Sequence, residues 1–97
     1  MAPQVPEKPK APGRDPGQMF ESARTALAGG EMAQAVKAYT ALIKRRSQLP
    51  GIIDDLKTAV ELDPGAAGLW QLLGDAYMKN DQVNDAIEAY RRAMEVA

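Results

Sequence analysis

The spacing of apolar side chains predicts an all-α fold, with about five short helices packed as antiparallel hairpins in one stack. Three observations point there. From residue 17 onward apolar residues recur three and four positions apart. The segments so defined are separated by turn formers such as Gly29-Gly30 and Asp63-Pro64-Gly65. The chain also resembles itself after a shift of 34 residues, which lays 33–63 on 67–97.

Residues 1–16 stand apart from this pattern. Five of the seven prolines lie here, at Pro3, Pro6, Pro9, Pro12 and Pro16, and Val5 is the one large aliphatic residue after Met1. Such a segment cannot offset the entropy of ordering itself, so 1–16 is expected to be a disordered, proline-rich linker, in a chain expected to be cut from a longer protein. Pro9, Pro12 and Arg14 also form a P-x-x-P-x-R pattern of the kind that proline-peptide receptors dock. The linker reading is preferred, because such short patterns arise easily in a proline-rich tract.

The helical domain is then expected over 17–97. The first helix, 18–28, offers Phe20, Ala23 and Leu27 and stops at the glycine pair. The second, 32–46, places Val36, Tyr39, Leu42 and Ile43 on one face and ends in Lys44, Arg45 and Arg46, cations suited to a helix C-terminus. Leu49-Pro50-Gly51 is read as a break. The third, 51–62, carries Ile52, Ile53, Leu56, Ala59 and Val60, with Asp54 and Asp55 in its first turn. The fourth, 66–79, carries Leu69, Trp70, Leu72, Leu73, Ala76 and Tyr77, and the fifth, 83–96, carries Val83, Ala86, Ile87, Tyr90, Ala93 and Met94.

Composition closes most routes to catalysis. With no histidine and no cysteine, the chain lacks the commonest general base, thiolate nucleophiles and the usual zinc ligands, so no enzyme activity, metal or cofactor is expected. Asp54 and Asp55, adjacent on a helix, point about 100° apart and cannot pair as catalytic carboxylates. A net charge of −1 argues against nucleic-acid and membrane-surface binding. No apolar run approaches the roughly 20 residues of a membrane span. The absent disulfides and the lack of an export signal favour a cytoplasmic setting.

Residues 67–97, AGLWQLLGDAYMKNDQVNDAIEAYRRAMEVA, carry Trp70, Leu73-Gly74, Tyr77, Ala86, Tyr90 and Ala93 at set intervals. In these positions the sequence resembles the tetratricopeptide repeat family, specifically over 67–97 and more loosely over 33–66, where Tyr39, Thr40 and Ser47 replace the Leu, Gly and Gly of the pattern. Asp81 replaces the glycine usual between the helices, and aspartate tolerates the same left-handed backbone. Gly74, Ala86 and Ala93 allow helices to approach closely, while Trp70, Leu73, Tyr77 and Tyr90 fill the space between hairpins. A competing register exists: Gly30, Ala35 and Tyr39 match Asp81, Ala86 and Tyr90, which lie 51 residues on. The sequence leaves open which face of helix 32–46 lines a groove.

The resemblance implies a short right-handed solenoid that acts as a non-catalytic protein-interaction scaffold, its first helices lining a concave groove. In the 34-residue frame that groove presents Gln34, Lys37, Lys44 and Arg45 on one helix and Gln71, Asp75, Met78 and Lys79 on the next. Its basic side chains suggest a protein or peptide partner with acidic groups. The alternative is self-association. Residues 1–46 carry a net charge of +4 and residues 47–97 a net charge of −5, which suits a dimer or head-to-tail oligomer.

Overall fold

The computed structural model describes residues 15–97. Of the linker expected over 1–16, residues 1–14, with the proline-peptide motif at Pro9, Pro12 and Arg14, lie outside the described residues. Five helices follow in order: α1 (Pro16–Ala28), α2 (Met32–Lys44), α3 (Leu49–Leu62), α4 (Ala67–Lys79) and α5 (Val83–Val96). They form an elongated body of 55 × 27 × 17 Å, as expected of a short helical solenoid.

Two helices start two residues earlier than expected, both at prolines. α1 begins at Pro16, because the Asp15 carboxylate caps it by accepting from the Gly17 and Gln18 amides. Proline fits this first turn, where its missing N–H would have had no partner. Pro50 likewise sits in the first turn of α3, so Leu49-Pro50-Gly51 opens a helix instead of breaking one. Asp54 and Asp55 consequently fall in the second turn.

Three helices end in the same way. Gly30, Arg46 and Asp81 adopt left-handed backbones with φ of 79°, 54° and 62°. The following amide then reaches back across the last turn: Glu31 to the Ala26 carbonyl, Ser47 to Leu42, Gln82 to Tyr77. Asp81 thus takes the geometry expected of it. α2 stops at Lys44, with Arg45 as its cap and Arg46 outside, two residues earlier than the expected 46.

α1 pairs with α2 and α4 with α5 as antiparallel hairpins, while α3 lies between them, packed mainly on α4. α2 also touches α4, which closes the core. That core runs through Tyr39, Leu42, Ile52, Leu56 and Leu73, all essentially inaccessible to water. Each such side chain contributes roughly 1.5–3 kcal/mol. Among the described residues no polar or charged residue is fully buried, and no helix is long and apolar enough to cross a membrane.

Candidate partner-binding site

A cavity of about 490 Å³ lies between α1 and α3, bordered also by α2 and α4. Leu27 and Ala28 of α1, Met32 of α2, Ala59 and Leu62 of α3 and Leu69 of α4 give it an apolar lining. Leu62, 82% exposed, and Met32, 38% exposed, are among its lining residues.

A polar cluster fixes the walls of this cavity. One carboxylate oxygen of Asp55, on α3, accepts from the Tyr39 hydroxyl of α2 at 2.9 Å and pairs with the Arg24 guanidinium of α1 at 3.2 Å. Arg24 also lies over the Phe20 ring, 5.1 Å from its centre. The same ring abuts α3 at Gly51, where a Cβ would come within 2.6 Å of it. Burial, then the hydrogen bond and the charge of Asp55, push the Tyr39 hydroxyl well above its ordinary range, against a smaller opposing pull from Arg24. Tyr39 therefore stays a neutral donor, and three helices meet at one carboxylate.

The second hairpin solves the same problem internally. The Tyr90 hydroxyl of α5 donates to Asp75 on α4, and its ring lies against Gly74, where a Cβ would come within 2.6 Å of the ring. Burial, followed by the Asp75 hydrogen bond and charge, raises Tyr90 to about 12. Fifty-one residues earlier the corresponding positions hold Tyr39, Arg24 and Ala23. An arginine cannot accept from a tyrosine, so α3 supplies the acceptor through Asp55.

Residues 19–48 and 67–97 each match the tetratricopeptide repeat. The chain belongs to the tetratricopeptide repeat family. It is 27% identical over 85 residues, 79% of its length, to the general transcriptional corepressor ssn6 of Schizosaccharomyces pombe (strain 972 / ATCC 24843). It spans only 8% of that relative. No solved structure gives a significant match.

The two tetratricopeptide repeats are thus α1–α2 and α4–α5, and α3 is a single helix inserted between them. This corrects the frame that made 33–66 a repeat. Its two helices, α2 and α3, hardly pack on each other, because the apolar faces of α2 are already taken by α1 and α4. The left-handed residue confirms the 51-residue register: it falls at Gly30 and Asp81, whereas the 34-residue register would put it at Ser47 and it occurs at Arg46.

The residues expected to form a groove in the 34-residue frame are dispersed. Gln34 lines a polar cleft against α1, and Gln71 lines a separate, mostly apolar cleft between α4 and α5. Asp75 is occupied by Tyr90. Lys37 and Lys44 are exposed on α2, Arg45 caps it, and Met78 and Lys79 are exposed at the end of α4. Of the expected packing residues, Leu73, Gly74 and Ala86 are buried, and Trp70, Tyr77, Tyr90 and Ala93 are half-buried. The Trp70 indole donates to the Pro64 carbonyl at 2.8 Å, under Arg92, which lies 5.6 Å from the ring centre. Burial raises the Tyr77 hydroxyl, with smaller pushes from Asp85 and Asp54. The cavity's own residues, Arg24, Met32, Asp55 and Leu62, were not singled out by sequence spacing. Their one sequence signal was the match between Tyr39 and Tyr90, which frames α1 as a first helix.

Proposed function

We propose that this chain is a protein-interaction module that seats a partner segment in the cavity between α1 and α3. The observation that carries this reading is Leu62, 82% exposed beside a largely apolar cavity of about 490 Å³. Apolar contacts there would supply most of the affinity, so the partner segment needs a large aliphatic or aromatic anchor. Arg24 is paired with Asp55, and Asp63 also lines the rim, so the cavity does not itself select an acidic segment. A preference for acidic flanks rests instead on Lys37, Lys44 and Lys79, exposed outside it on α2 and α4. The similarity to a general transcriptional corepressor supports a role in holding proteins together, and we assign the chain no catalytic step. The cytoplasmic setting expected from the sequence stays part of the proposal, as does a linker over 1–16, shortened by the two residues that start α1.

Peptide display against the full chain tests this reading. Selected peptides are expected to share a large apolar residue and to lose binding to Leu62→Asp, a substitution at an exposed site that leaves the fold intact. If acidic flanks matter, Lys44→Glu weakens the acidic members of the set alone. Binders indifferent to Leu62→Asp would place the site elsewhere.

A further inference from the structure

α3 and α5 both pack on α4 and leave a cleft between them. Its cavity of about 210 Å³ is bordered by Lys57 and Glu61 of α3, Trp70 and Tyr77 of α4, and Asp85 and Glu88 of α5. The rest of its lining is apolar. The cleft is built by three consecutive helices of this chain and shares no residue with the α1–α3 cavity.

Both rims of this cleft are acidic. Asp54, Lys57 and Glu61 follow one another three and four residues apart on α3, and Asp85 and Glu88 three apart on α5. Glu88 is paired with Arg91 and Arg92. Lys57 makes no ion pair among the described residues. Three carboxylates, those of Asp54, Glu61 and Asp85, are thus set against one ammonium. Their field reaches the half-buried Tyr77, whose hydroxyl is raised by burial first and then by Asp85 and Asp54. That hydroxyl makes no hydrogen bond to a described residue. The cleft also lies in the half of the chain, 47–97, that carries a net charge of −5, so cations are drawn toward it from a distance.

The chain itself shows which cation suits such surroundings. The Arg92 guanidinium lies 5.6 Å from the centre of the Trp70 ring and 3.3 Å from the Glu88 carboxylate. The same two kinds of partner, an aromatic ring and carboxylates, recur without an ion pair at Tyr77, Asp85 and Glu61. No three carboxylates among the described residues come close enough together to hold a metal ion, so the cation that fits is an extended one. We propose that this cleft receives an arginine side chain from a basic segment of a partner protein, with its guanidinium between Glu61 and Asp85 and beside the Tyr77 ring. A planar guanidinium can pair with carboxylates on two helices while it stacks on an aromatic ring, and its aliphatic stem suits the apolar part of the lining.

Trp70 is the only tryptophan of the chain, so its fluorescence reports on the cleft. The probe is the acetylated, amidated pentapeptide Ala-Ala-Arg-Ala-Ala, compared with the same peptide carrying neutral citrulline in place of arginine. Titration of the full chain at low ionic strength is expected to give a saturable change with the arginine peptide alone. Combining Glu61→Gln with Asp85→Asn, both at exposed positions, weakens binding about tenfold and leaves the helical circular dichroism unchanged. Lys57→Gln removes the competing cation and tightens binding about threefold. The absence of a saturable change, or an equal response to the citrulline peptide, overturns the proposal. Binding indifferent to the paired Glu61→Gln and Asp85→Asn substitutions, or weakened by Lys57→Gln, also overturns it.

Discussion

The Tyr39 hydroxyl donates to the Asp55 carboxylate at 2.9 Å, and this bond joins α2 to α3, two consecutive helices that otherwise hardly pack together. Arg24 completes the link from α1 on the same oxygen. The inserted helix is thereby fastened to the first repeat by a polar contact and to the second by the apolar face of α4. Tyr39→Phe removes a hydrogen bond to a charged acceptor and should cost about 1–2 kcal/mol. Asp55→Ala should cost more, about 2–3 kcal/mol, since it leaves the Tyr39 hydroxyl without an acceptor. Urea unfolding of the three proteins measures both.

The tyrosines also set a pH dependence. The Tyr90 hydroxyl is raised from its ordinary 10.0 to about 12, and Tyr39 is raised further. In the unfolded chain both ionise near their ordinary value, so folding favours the protonated form. The stability they confer is complete below pH 10 and is lost as pH rises toward 12. Unfolding free energy should therefore fall across that interval. The fall should be shallower in Tyr39→Phe and Tyr90→Phe, although both are less stable at neutral pH. Absorbance titration of the folded protein should show little tyrosinate at pH 10, because Tyr77 is raised as well.

Two glycines of α4 should respond in opposite ways. At Gly74 a Cβ would lie 2.6–2.9 Å from three atoms of the Tyr90 ring, which the bond to Asp75 holds in place. Gly74→Ala should destabilise by about 1–3 kcal/mol despite the better helix propensity of alanine. At Gly68 a Cβ meets nothing within 4 Å, so Gly68→Ala should stabilise by about 0.5–1 kcal/mol. Thermal unfolding of the two variants distinguishes close helix approach from propensity alone.

Arg46 holds a left-handed backbone at φ 54° where its counterparts are Gly30 and Asp81. A side chain there costs roughly 1 kcal/mol relative to glycine. Arg46→Gly should raise stability by about 0.5–1 kcal/mol in urea unfolding, because the Ser47 amide keeps its bond to Leu42.

The second hairpin was legible almost residue by residue. Gly74 and Tyr90 encode short-range packing within one hairpin, where Tyr90 had been expected to fill the space between hairpins, and such contacts leave a fixed spacing in the sequence. The prolines misled for a local reason: Pro16 and Pro50 look like breakers unless an adjacent residue starts a helix at that point, as Asp15 does for Pro16. The repeat frame was ambiguous because α2 has two apolar sides, one for α1 and one for α4, so it fits either register. The cavity was not legible, since it depends on where α3 lies. That position rests on Asp55 meeting residues 16 and 31 positions earlier, and no periodicity records such a meeting. Leu62 could be read as the end of a helix, but its exposure could not.

The most direct test of the account is amide chemical-shift mapping of the full chain with a peptide obtained by display. The largest changes are expected around Leu27, Met32, Ala59 and Leu62, with α5 little affected and with the changes abolished by Leu62→Asp. Changes gathered on Lys37, Lys44 and Lys79, with the α1–α3 cavity unmoved, would contradict it.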